Sequence, residues 1–281
     1  MGQFREIGAA LALLGVSAAT PAVAQTPVMS AGGFTGLSVT PTAHLQRWGT
    51  ASLDYDNELV GAPISPRYGT SGHNIVAGVG LLPNLEVSGR IASNTLNSNC
   101  YNEGCGMRDL SFNFKAGAPL DVGSRWHAAI GATDLGGQTG QFRSAYGVLT
   151  YSPDLVDLSL GYAYRQGARS VESPLDGVFA SAAYRPFSWL QAHVEYTDSK
   201  AWAGARVFAP PQWLPTGWSA HVGANVRLRG DERTARNWWS VGLTVPLYKV
   251  PVERPAVSAA ASSAALEPAA TASTPARAAT I

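Results

Sequence analysis

The chain has 281 residues, 14% of them charged, 30 glycines and a formal net charge of +1. A charged share well under the roughly 25% of soluble domains, without a basic excess, excludes a nucleic-acid binder. After residue 25 no apolar run reaches the about 18 residues a membrane helix needs, so a helical membrane protein is excluded too.

Residues 1–24 read as a secretory signal. Arg5 gives a weakly basic start, "AALALLGVSAA" is a short apolar core, and Ala22-Val23-Ala24 is a small-x-small cleavage site, giving a mature start near Gln25. No cysteine follows that site, which argues against a lipoprotein anchor. Residues 25–47 form a separate segment carrying "GFTGLSVTPTA", Gly33 to Ala43. Gly33 and Gly36 permit close backbone approach and Pro41 blocks an extended ladder. Together with Leu37, Thr40 and Thr42 they predict a partial plug, packed in or under a barrel mouth.

From residue 48 the sequence turns to alternation. Twelve strands are expected near 48–58, 73–81, 85–95, 107–117, 125–134, 142–152, 155–165, 177–185, 188–198, 200–208, 217–229 and 236–248. Such lengths suit strands crossing a bilayer at a tilt of about 45°, whereas soluble strands more often have about five or six residues. "LLPNLEVSGR" (81–90), "YSPDLVDLSLGYAYR" (151–165) and "YRPFSWLQAHVEY" (184–196) each join two runs through a proline-marked tight turn. Leu85, Val87 and Ile91 oppose Glu86, Ser88 and Arg90; Leu158, Leu160 and Tyr162 oppose Asp157, Ser159 and Arg165.

The predicted fold is all-β: a single antiparallel transmembrane β-barrel over residues 48–248, of about 12 strands (ten and fourteen being the neighbouring counts), with both termini periplasmic. Outer-membrane lipid is then its first partner and the bacterial cell outer membrane its place. The polar face supplies candidate lumen-lining residues: Asp54, Asp56, Glu86, Arg90, Asp109, Lys115, Asp157, Arg165, His193, Glu195, Arg206, His221, Arg227 and Arg229. Both signs are represented, which fits either a hydrated conduit or a lumen filled by internal salt bridges. Trp48, Trp126, Trp202, Trp213, Trp218, Trp238 and Trp239 are assigned to interfacial girdles, with stacking on sugar rings as the alternative.

Cys100 and Cys105, in "NCYNEGCG", fall in a predicted outer loop. Four intervening residues and an exported setting point to a local disulfide, and no histidine stands near for a metal. His193 and Glu195 share a strand face and Ser199 follows, but a serine nucleophile would need an oriented base, and neither "GxSxG" nor "HExxH" is present. In "GATDLGGQTG", Gly131 to Gly140, Gly137 stands where a phosphate loop requires lysine. No catalytic, cofactor or metal site is predicted. Residues 249–281 are Ala/Ser/Pro-rich and aperiodic, a tail that cannot bury enough surface to order itself.

The "GxxGLxxTPTA" opening, Gly33 to Ala43, followed by Gly49 and a polar first strand, resembles the start of YjbH-like proteins. The strand–Pro–strand hairpins are similar to that family's repeated pattern, and the resemblance spans residues 32–248. It implies an outer-membrane barrel associated with exopolysaccharide or capsule production, with polysaccharide and periplasmic export or assembly proteins as partners. Many family members are much longer; this chain has length for one barrel. The functional expectation is non-catalytic assistance to the export or surface assembly of an extracellular polysaccharide. A general porin, or a filled barrel serving as a scaffold or docking protein, is the alternative.

Overall fold

The computed structural model describes residues 27–58, 73–93, 108–121, 123, 125–136, 142–166, 175–198, 200–230 and 237–248. Residues 1–24, read above as a signal, Cys100, Cys105, Ser199 and residues 249–281 lie outside the described residues.

Twelve antiparallel strands close into a barrel. They are β1 (Thr50–Asp56), β2 (His73–Leu82), β3 (Leu85–Ser93), β4 (Arg108–Pro119), β5 (Trp126–Thr133) and β6 (Ser144–Tyr151), followed by β7 (Val156–Arg165), β8 (Gly177–Phe187), β9 (Leu190–Thr197), β10 (Lys200–Phe208), β11 (Ser219–Arg229) and β12 (Asn237–Pro246). Each pairs with its sequence neighbours. β1 meets β12 from Thr50↔Pro246 to Asp56↔Ser240, so the sheet has no free edge. A single short 3₁₀ turn, Pro211–Trp213, interrupts the β10–β11 connection.

The turns follow from local chemistry. Leu82 pairs with Leu85 around Pro83-Asn84, a two-residue turn. Asp154 and Asp198 take positive φ (43° and 32°), a conformation that Asp tolerates better than most residues. The proline in the third hairpin differs from expectation. Pro186 lies within β8 at a register shift between Tyr184 and Phe187, and the turn itself is Ser188-Trp189. A proline cannot donate to the ladder, so it sits where the pairing is already irregular.

Every strand sends apolar side chains outward. Leu53, Leu81, Ile91, Leu110, Ile130, Leu149, Leu160, Val178, Val194, Val207, Val222 and Val241, one from each strand in order, are all exposed, Leu110 and Ile130 by 64%. A continuous apolar band of this kind would be untenable in water and fits a lipid surround. At the rim carrying the proline turns, Trp48, Trp126, Trp189, Trp213, Trp218 and Tyr248 are exposed; toward the opposite rim come Tyr162, Tyr164, Tyr196 and Trp239. These are the two interfacial belts.

Trp202 and Trp238 depart from the girdle assignment. They are 1% and 4% exposed and pack inside the barrel against Ala31 and Val39. Strand parity explains it: Trp202 shares its face with Arg206, and Trp238 with Ser240, Gly242 and Thr244.

Candidate functional site: a plugged lumen

The lumen is occupied by residues 28–43, every one of them buried. The segment enters at the turn rim and folds into two nested turns. Ser30 N–H donates to Phe34 O (2.8 Å), Ala31 N–H to Ser38 O (2.9 Å) and Leu37 N–H to Thr40 O (3.0 Å). It leaves at the same rim, where Gly49 N–H reaches Gly80 O (2.9 Å) and the chain runs into β1. Two glycines are required along this path. Gly33 has φ +82°, and a Cβ there would meet the Asn113 amide at 2.2 Å; at Gly36 a Cβ would lie 2.2 Å from the Thr40 carbonyl oxygen.

So irregular a segment leaves backbone groups without secondary-structure partners, and the barrel wall supplies them. Glu195, on β9, accepts N–H bonds from Ser38 (2.9 Å), Val39 (2.9 Å) and Thr40 (2.6 Å), plus the Thr40 hydroxyl (2.7 Å). Glu86, on β3, accepts Thr35 N–H (2.8 Å), the Thr35 hydroxyl (2.6 Å) and Gln46 N–H (2.7 Å). Lys115, on β4 and fully buried, donates to the carbonyls of Thr35 (2.7 Å) and His44 (2.5 Å), with Glu86 3.9 Å away. Arg206, on β10, donates to Gly36 O (3.0 Å). Two carboxylates thus hold N–H groups and two cations hold carbonyls. Bonds to charged groups contribute about 1.5–3 kcal/mol each, roughly twice a neutral pair.

Most of the remaining lumen-lining candidates are also buried on the inner face. Asn74 bridges Asp56 (2.8 Å) and Ala31 O (2.7 Å), and Arg90 donates to Asn74 (2.8 Å) while its guanidinium lies 4.4 Å from the Phe142 ring centre. His221 stands 3.5 Å from Asp54, and Asp157 pairs with Arg185. Arg165 and Arg227 are half-buried, Arg229 is exposed at the end of β11, and Asp109 is placed by register opposite Ala92. His193 Nε2 lies 2.5 Å from the hydroxyl of the plug's Ser38, which donates to Asn225.

The inner face is not uniformly polar. Ala129, Tyr146, Val148, Ala163 and Phe179, on β5 to β8, form an apolar wall with Leu175, against which Phe34 and Ala43 of the plug pack. The Phe34 and Tyr146 rings are 5.2 Å apart, tilted by 58°. Inward alternation in "SAYGVLTY" and "GVFASAAY" carried this information, because Tyr146, Val148, Phe179 and Ala183 fall at lumen parity. Asn74, Asn113 and Asn225 fall at the same parity, whereas Ser38, in the aperiodic plug, carried no such signal.

At the turn rim His44 caps the plug. Its Nε2 is 3.0 Å from Ser152 Oγ and 3.6 Å from Asp157, and its ring stacks obliquely on His127 at 4.7 Å. Burial first, then Lys115 and Arg185, push its pKa down to about 4. The nearby Asp157 does not offset this, being already engaged by Arg185.

No family model matches the chain, and no curated protein matches it. Among solved structures, the KdgM porin in complex with disordered oligogalacturonate is similar at 10% identity and a TM-score of 0.44, over 70% of this chain and 99% of that one. A likeness of that degree leaves function to the geometry of this chain.

Proposed function

We propose that this protein is an outer-membrane solute channel of the porin type, closed by its own N-terminal segment and opened by displacement of that segment. The observation that carries the reading is the way the plug is held. Glu86, Lys115, Glu195 and Arg206 satisfy plug backbone groups, and water can replace the plug at each of them. A lumen meant only to be filled is made more stable by apolar packing than by buried charges. Here the charges would line a hydrated passage once the plug leaves. The turn rim, where the plug enters and β12 ends, then faces the periplasm, and the protein works without bond-making chemistry.

Planar-bilayer recording tests this. The mature wild type should conduct rarely, and a variant lacking residues 30–44 should give a steady open conductance. A heat-modifiable, folded deletion variant that conducts nothing would overturn the channel reading.

One observation favours a second reading. The residues that thread the lumen, Gly33 to Ala43, are those that resemble YjbH-like proteins. Membership of that family would make the barrel an accessory of extracellular polysaccharide export, with periplasmic assembly proteins docking at the turn rim. Loss of matrix polysaccharide on deletion of the gene, restored by the intact protein, is the result expected of it.

A further inference from the structure

Between the plug and the wall at the turn rim lies a cavity of about 500 Å³. Small-molecule sites typically occupy about 300–1,000 Å³, so its size suits a ligand of one or two sugar rings. Its wall holds polar groups that the protein leaves unmatched. Gln191, on β9, is 1% exposed, yet neither its amide oxygen nor its amide nitrogen has a partner. His127 Nδ1 and Arg185 Nε, on the same wall, are also without partners. Leaving a buried polar atom unmatched is costly, and three side chains bear that cost around one cavity.

The charge of the wall narrows the ligand. Arg185 is neutralised by Asp157, and His44, held to a pKa of about 4, is uncharged at neutral pH. Among the described residues, no unpaired cation is left at this wall to hold an anion. Donors and acceptors alternate instead: the Gln191 amide offers both, His127 Nδ1 one or the other by tautomer, and Ser152 both. Val28 and Leu37 give the cavity an apolar flank, the surface a sugar ring face needs beside its hydroxyls.

We infer that this vestibule is a binding site for a neutral saccharide unit, contacted through Gln191, His127 and Arg185. The inference deepens the channel reading and rests on it for its physiological role: the solute would be recognised at the plug before or after passage.

Calorimetric titration of the full mature protein in detergent tests the site, using cellobiose as the neutral probe and digalacturonate as the acidic one. Saturable cellobiose binding is expected, weakened about tenfold by Gln191→Leu, which removes both amide bonds at about 1.4 kcal/mol per decade. His127→Phe keeps a ring without Nδ1 and should weaken binding about fivefold, a loss within the range of one hydrogen bond. It serves if the Gln191 variant fails to fold. Three results would overturn the site: no saturable cellobiose binding, equal affinity in the folded variants, or tighter binding of digalacturonate. Conductance of the same preparations separates the two readings. Cellobiose binding by the wild type with no conductance in the 30–44 deletion sinks the channel and spares the site; conductance in that deletion with no binding by the wild type does the reverse.

Discussion

The lumen has two unlike walls. β3, β4, β9 and β10 grip the plug by its backbone, through Glu86, Lys115, Glu195 and Arg206, whereas β5 to β8 hold it through Phe34 and Ala43 in an apolar cluster and one backbone bond, Ala43 N–H to Thr150 Oγ1 (2.7 Å). The polar wall specifies position. A carboxylate bound to three successive N–H groups tolerates no slip of register, but water can take over each bond once the plug leaves. The apolar wall specifies little, and water cannot replace what Phe34 gains there. A segment held this way is well defined when docked and still removable.

The largest effect is expected from removing both carboxylates of the polar grip. Glu86→Ala combined with Glu195→Ala leaves Lys115 buried without its acidic partner and Arg206 with Asp54 alone, and breaking one such buried pair typically costs about 3–5 kcal/mol. The double variant should conduct as steadily as the plug deletion, and its residues 28–43 should become open to protease. A double variant that stays closed and protected would place the hold on the apolar wall alone. Phe34→Ala comes next. It empties the cluster around Tyr146 and Phe179, where such truncations cost about 3–5 kcal/mol. Frequent brief openings are expected, with the plug returning to the same register, since Glu195 is intact. Disulfide trapping between cysteines placed at Ser38 and Asn225 reads that register: trapping at wild-type rate is expected, and its loss would mean that Phe34 also sets position.

The barrel itself was legible because lipid and lumen impose opposite demands on alternate residues. "LEVSGRIAS" states its two faces outright, and β3 falls within two residues of expectation. The charged anchors were legible for the same reason, since Glu86 and Glu195 stand at inward parity. What they bind was not. Alternation says that a residue faces inward and is silent on whether it meets water or chain, and the plug has no periodicity to announce its path. Ser38, which meets His193 across 155 positions, shows the limit: no local pattern links them. Trp202 and Trp238 show a different failure, where belt chemistry outweighed a parity that was there to be read.

The outer surface offers a smaller effect. Leu160 is 61% exposed near the middle of β7. Leu160→Arg should destabilise the folded barrel by about 2–4 kcal/mol if lipid surrounds it, as for arginine near a bilayer midplane. Urea unfolding in lipid vesicles measures this. The paired control is Trp213→Ala, on the exposed turn at the rim, which should change stability by under about 0.5 kcal/mol. A neutral result at Leu160 would break the assignment of the two faces.

The smallest effect is a pH dependence centred on the plug's cap. His44 is held to a pKa of about 4 in the docked plug, against an ordinary value of 6.5. Between these values the released segment binds a proton that the docked one refuses, so docking is strongest above about pH 6.5 and weakens as pH falls toward about 4. Below that it changes no further on this account. The full shift would be worth about 1.4 kcal/mol per unit, but the side chain is 26% exposed and solvent screens it, leaving about 1–2 kcal/mol. Asp157, Arg185, Lys115 and His127 all face this ring. The readout is therefore the difference between wild type and His44→Asn. Open probability should rise about tenfold in wild type from pH 7 to pH 4.5 and stay nearly flat in the variant, as expected for about 1.4 kcal/mol. Equal rises in both would move the pH dependence from the plug's cap to another group at the turn rim.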